Sequence, residues 1–180
     1  MCYTSPMTES ASISTEHGST TTPRHLSENV GWLMARVSHA LASALSKALV
    51  PLELSLRGYL VLSAAQRDVL EGKPHTQLTL ARELGLDKSI MVLSLDELEG
   101  KGFVIRRPDP RDRRARNIEP TKAGRKVLAR AQKAVREAER EALTDLSEEE
   151  QRTLLTLLNR LVSGRLSESI DSGSCLPRSG

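Results

Sequence analysis

Residues 106 to 120 read RRPDPRDRRARNIEP, which puts six arginines, two aspartates and three prolines together with almost nothing apolar. Guanidinium groups at this density suit one kind of chemistry, the binding of phosphate or carboxylate through planar, charge-assisted hydrogen bonds. The stretch from 101 to 116 sets seven Lys or Arg against two acids, a net +5, whereas the whole chain carries only +3, so the rest sums to −2. The basicity is therefore local, the electrostatic footprint of a surface that meets phosphate. A solvated charged loop is the alternative, and the flanking elements must decide between them.

Other chemistries find no support. There is no GxSxG, no phosphate loop and no pair of carboxylates in an apolar setting, so the sequence predicts no enzyme. Cys2 and Cys175 lie near opposite ends and form neither a CxxC pair nor a zinc framework, and a reducing cytoplasm is the natural reading. His17, His25, His39 and His75 show no i, i+4 pairing, so no metal and no cofactor is expected. The start MCYTSPMTES is not a secretory signal, and no stretch approaches the roughly 20 apolar residues that span a bilayer, so no membrane association is expected.

The elements that must position the arginines follow from periodicity. With 38% hydrophobic and 27% charged residues the chain is globular in composition, and with only 2% aromatic residues its core must be Leu, Val, Ala and Ile, which suits packed helices. Leu26, Val30, Leu33, Val37, Leu41, Ala44 and Ala48 recur every three or four residues and define a first helix, capped by Ser27 or Asn29 and ended by Pro51. A second runs from about Ser55 to about Leu70, before the breakers Gly72 and Pro74. Leu78, Leu80, Ala81 and Leu84 line a short helix stopped at Gly85, and Asp87 or Ser89 caps another running to about Glu99. Two short helices joined by a tight turn containing Gly make a helix-turn-helix. FVIRR then changes to strand period, and RARNIEP returns across PDPRD, so the arginines occupy the tip of a β-hairpin wing. Thr121 caps a long polar helix with a thin apolar line through Val127, Leu128, Ala131, Ala134, Val135 and Ala138. Ser147 and Glu150 form a capping box for a last helix rich in Leu. The apolar first and last helices want a partner, and the economical partner is a second copy.

From about Gln77 to Leu128 the sequence resembles the MarR family of winged-helix transcription regulators. The flanking helices match that family's dimerisation elements in order and approximate length, so the resemblance covers residues 26 to about 164. Its most specific parts are LARELGLDKSIMVLSLDELEGKGFV and PDPRDRRARNIEPTKAGR. There the family's "LeekG" helix ending, "DxR" wing and "LTxxG" helix start read as LDELEGKG, Asp112-Arg113-Arg114 and EPTKAG.

The resemblance implies a mainly α fold: a winged helix-turn-helix lobe over 51–120 with a small β-hairpin wing, and a helical dimerisation region from 24–50 and 121–166. A flexible arm over 1–23 and a flexible tail over 167–180 complete the chain. It further implies a DNA-binding regulator, usually a repressor, that holds a pseudopalindromic operator in double-stranded DNA as a homodimer. Arg114 would enter the minor groove with Asp112 orienting it, because the negative potential is deepest there. Arg111, Arg113 and Arg116 would face phosphates. On the recognition helix Asp87, Lys88, Ser89 and Ser94 would reach phosphates or base edges. Ile90, Met91, Val92 and Leu93 stand where many members place polar residues, either touching thymine methyl groups or leaving discrimination to the wing and DNA shape.

The family's effector site implies Trp32, Arg36, His39 and Tyr59 as the pocket for a small aromatic or phenolic ligand; the alternative places Trp32 in the core or the dimer interface. Redox sensing needs a cysteine near the first helix, and neither Cys2 nor Cys175 is placed for it. The competing function is a helical homodimeric protein-interaction module without specific DNA binding.

Overall fold

The three-to-four-residue apolar spacing becomes helix almost where it is read. A computed structural model describes residues 26–70, 76–109 and 116–164. Their elements are α1 (Val30–Leu49), α2 (Leu56–Leu70), α3 (Gln77–Glu83), α4 (Lys88–Gly100), β1 (Val104–Pro108), β2 (Arg116–Pro120), α5 (Lys122–Ala142) and α6 (Glu148–Val162), with a single 3-10 turn at Val50–Leu52. The predicted arm, the breakers Gly72 and Pro74, and the predicted tail lie outside the described residues.

The chain divides into two compact units, residues 1–35 and residues 36–180. In the first, Asn29 caps α1, its Oδ1 accepting the Trp32 backbone N–H at 2.8 Å. Val30, Leu33 and Met34 there are exposed.

In the second unit α1 runs on to Leu49, and Pro51 in the following 3-10 turn marks its end, since proline has no amide hydrogen to continue the ladder. The core gathers Leu49 and Leu54, Val61, Leu62, Ala64 and Ala65 of α2, Leu80 and Ala81 of α3, Met91, Leu95 and Leu98 of α4, Val104 and Ile118 of the hairpin, and Val127, Leu128, Ala131 and Val135 of α5. Helix α2 is its centre and packs on α3, α4, β2 and α5. The thin apolar line read on α5 is thus a seam buried at Val127, Leu128, Ala131 and Val135 and half-buried at Ala134 and Ala138. Leu78, expected on the buried line of α3, is 62% exposed. Thr76 caps that helix and Leu80 points fully inward, so a residue two positions earlier, roughly 200° around the helix, faces out.

Helix α6 opens with the predicted capping box: the Ser147 hydroxyl accepts the Glu150 N–H, and Glu150 Oε2 accepts the Ser147 N–H at 2.8 Å. The Ser147 hydroxyl and amide hold the Glu150 carboxyl below its usual range. That contribution is present above the carboxyl's ordinary value and fades as pH falls through the lower folded one. No residue of α6 is buried. No single helix among the described residues is long and apolar enough to cross a membrane.

Candidate nucleic-acid interface

Two caps set the helix-turn-helix. The Thr76 side chain accepts the Thr79 N–H, and after α3 the chain turns through Gly85 at φ 59°, a left-handed conformation that glycine adopts without a Cβ penalty. Asp87 then caps α4, its Oδ1 accepting the Ser89 N–H at 2.7 Å. Asp87 therefore orders the start of α4.

The faces of α4 follow from its burial. Met91, Ser94, Leu95 and Leu98 are buried, Ile90 and Val92 are intermediate, and Lys88, Ser89, Leu93, Asp96 and Glu99 are exposed. Ser94, expected to reach DNA, is only 5% exposed, and its hydroxyl donates to the Ile90 carbonyl at 2.9 Å. It lies three residues after Met91 and one before Leu95, on the core side, so it belongs to the packing. The four-residue apolar run splits the other way: Met91 is fully buried while Leu93 is 69% exposed.

The hairpin pairs Val104 with Pro120 and Pro108 with Arg116 in antiparallel register. Arg106 projects from β1 onto α4, its guanidinium donating to Asp96 Oδ1 at 2.6 Å and to Glu99 Oε2 at 2.8 Å. Arg107 pairs across the hairpin with Glu119 at 2.8 Å. Buried Asn117 donates through Nδ2 to Asp109 Oδ2 at 2.9 Å. Arg106 and Arg107 are thus engaged with carboxylates at the base of the wing. Arg116 is exposed on β2. Arg111, Asp112, Arg113 and Arg114, expected at the tip, lie outside the described residues.

The hairpin is also fastened from behind. Thr121 donates its hydroxyl to the Gly102 carbonyl and its N–H to the Phe103 carbonyl, while its Oγ1 accepts the Gly124 N–H and caps α5. A Cβ at Gly124 would stand 1.9 Å from the Phe103 carbonyl oxygen, so only glycine permits this approach. Arg106 and Asn117 were not among the residues singled out from sequence. A signal existed for Arg106: strand alternation puts it on the same face as buried Val104, and Asp96 and Glu99 are three apart on one helix face.

A helix-turn-helix followed by a β-hairpin wing also matches solved transcriptional regulators. The family model "MarR family" matches residues 67–115. A transcriptional regulator of the MarR family from Rhodococcus sp. RHA1 is 30% identical, with 79% of this chain and 99% of that one covered and a TM-score of 0.71. The chain belongs to the MarR family. CouR from Rhodococcus jostii RHA1, solved with p-coumaroyl-CoA, is 32% identical over 79% of this chain and 97% of its own, with a TM-score of 0.68. CouR as a transcriptional repressor on a 23-mer DNA duplex matches at 29% identity, 80% and 99% coverage and a TM-score of 0.69.

The expected effector residues of this MarR-family chain divide between the units. Trp32 is half-buried in the first. In the second, Arg36 and His39 are exposed on α1, and Tyr59 packs half-buried against the core from α2. A depression of about 370 Å³ lies along α6, lined by Glu149, Arg152, Thr153, Thr156 and Leu157, and includes none of these four.

Proposed function

We propose that the protein is a transcriptional repressor that binds a pseudopalindromic operator as a homodimer. The observation that carries this reading is the Arg106 clamp, which joins the basic wing to the second helix of the helix-turn-helix so that both present to one ligand. Lys88 and Ser89 stand exposed at the start of that helix, where donors meet phosphates and base edges. Arg114 enters the minor groove, Asp112 steers it, and Arg111, Arg113 and Arg116 face phosphates. CouR on a DNA duplex supports the assignment. Helices α1 and α6 form the dimerisation region and residues 51–120 the DNA-binding lobe.

Release follows when a small aromatic ligand favours the lobe spacing that does not fit the operator, a coupling typically of order 1–3 kcal/mol. Trp32, Arg36, His39 and Tyr59 are the residues assigned to it, and the p-coumaroyl-CoA held by CouR supports an aromatic acyl effector.

The test is selection from a pool of random duplexes, with the salt dependence of binding compared between the parent and Arg114→Ala. The expected result is an enriched pseudopalindrome, with Arg114→Ala binding more weakly and with a salt slope smaller by about one. Adding p-coumaroyl-CoA should quench Trp32, the only tryptophan, and release the duplex; an unchanged emission and an intact complex would remove that ligand. Failure of both proteins to retain DNA at low salt would leave the hairpin a charged surface and favour a protein-interaction module.

A further inference from the structure

The outward face of α4 reads in an unusual order. Ser89 and Leu93 are one turn apart and both exposed, Asp96 follows three residues later, and half-buried Val92 lies beside the row with exposed Lys88 one turn before it. The first turn therefore carries hydrogen-bond donors and a positive charge. On this face its last turns carry Asp96 and Glu99, and Arg106 pairs with both, at 2.6 and 2.8 Å, so they are not uncompensated charges beside phosphate. Ser94, the hydroxyl that sequence placed in this middle section, is turned into the core. What remains at the centre of the outward face is Leu93, 69% exposed, with the edge of Val92 beside it.

A leucine can neither donate nor accept a hydrogen bond. In the major groove one apolar group answers it, the C5 methyl of thymine, since the remaining edge groups there are polar donors or acceptors. We infer that Leu93 is a specificity-determining residue of this protein and that it reads a thymine methyl at one position in each half-site. The inference rests on the DNA-binding reading above, which supplies the occupant of this face. The charges near this face agree with that occupant: Lys88 is exposed in the helix's first turn, and the wing clamped alongside belongs to the chain's one strongly basic run.

Replacing thymine by uracil removes the methyl and nothing else, which makes the test chemical. The duplex enriched by selection is remade with each symmetry-related thymine pair replaced in turn by uracil, and binding is measured for the parent and for Leu93→Ala. Leu93 is largely solvent-exposed, so the alanine variant keeps the fold. Losing roughly one buried methyl per half-site weakens binding about fourfold each, and about sixteenfold when both half-sites are changed. The expected result is one thymine pair at which uracil weakens the parent by this amount, while Leu93→Ala is already weakened on the thymine duplex and loses nothing more with uracil. A flat uracil scan for the parent, or equal thymine-to-uracil losses for parent and variant, would overturn the inference while leaving DNA binding intact. Absence of any enriched duplex would remove both readings together.

Discussion

At Gly124 two backbones approach with no space for a side chain. The Phe103 carbonyl accepts the Thr121 N–H, and the same oxygen would lie 1.9 Å from a Cβ added at Gly124. Alanine there must push α5 away from the hairpin or break the Thr121 cap, since the opposing atom is backbone and cannot rotate aside. Gly124→Ala should therefore lower stability by about 3 kcal/mol, near the upper end of overpacking costs, and the melting midpoint by roughly 10 °C. Gly100→Ala is the control, because nothing lies within 4 Å of the added carbon and alanine favours helix. A thermal melt of Gly124→Ala that superimposes on the parent would show that the two elements are not held by this contact. The glycine was legible in sequence only as the last letter of EPTKAG; the reason for it is a contact between residues 21 apart, which spacing cannot supply. Ser94 and Leu93 make the converse case. Both were placed at the interface by residue type or position, and only their phase on α4 separates the one that packs from the one that faces outward.

Elements were far more legible than the contacts between them. Caps at Asn29, Thr76, Asp87, Thr121 and Ser147 and the breakers Pro51 and Gly85 all act locally, so helix limits could be read from a few residues each. The hairpin announced itself by the change of period after Gly102. Its attachment to α4 was fainter: alternation puts Arg106 on the face of Val104, but that it meets Asp96 and Glu99 is a matter of tertiary placement, which spacing within either element does not supply. Those two acids have side chains 54% and 41% exposed, so the clamp adds only about 1 kcal/mol to stability after screening by solvent. Its larger effect belongs to DNA binding. In Arg106→Ala the wing loses its tether and two carboxylates on the interface helix lose their counter-charge, and affinity for the selected duplex should fall about tenfold at low salt through repulsion from phosphate. Adding Asp96→Asn and Glu99→Gln to Arg106→Ala removes the repulsion without restoring the tether. Recovery of most of the affinity in the triple variant assigns the effect to charge, and no recovery assigns it to the lost tether. An unchanged affinity in Arg106→Ala would show that the clamp serves neither purpose.

For the whole molecule the decisive feature is an absence of burial. Helix α6 carries Leu154, Leu155, Leu157, Leu158, Leu161 and Val162, yet none of its residues is buried, and Leu155 and Val162 are 62% and 55% exposed. Val37 on α1 is likewise 55% exposed. A row of apolar side chains at i, i+3, i+4 and i+7 that no described residue of its own chain buries is an interface awaiting a second protein. A symmetric operator reader needs two copies for a separate reason: recognition helices in adjacent major grooves must stand about 34–36 Å apart, which one chain with a single helix-turn-helix cannot span. The two requirements meet in one prediction. Leu158→Asp combined with Leu161→Asp puts four carboxylates into a symmetric interface and should give a monomer by sedimentation equilibrium, with the lobe still folded because its core draws nothing from α6. Each lobe then binds its half-site alone, without the effective concentration that linkage confers, and operator affinity should drop by at least about a hundredfold. A double variant that sediments like the parent would place the dimer surface elsewhere. One that is monomeric and still binds the full operator with parental affinity would show that recognition does not depend on the pairing of two chains.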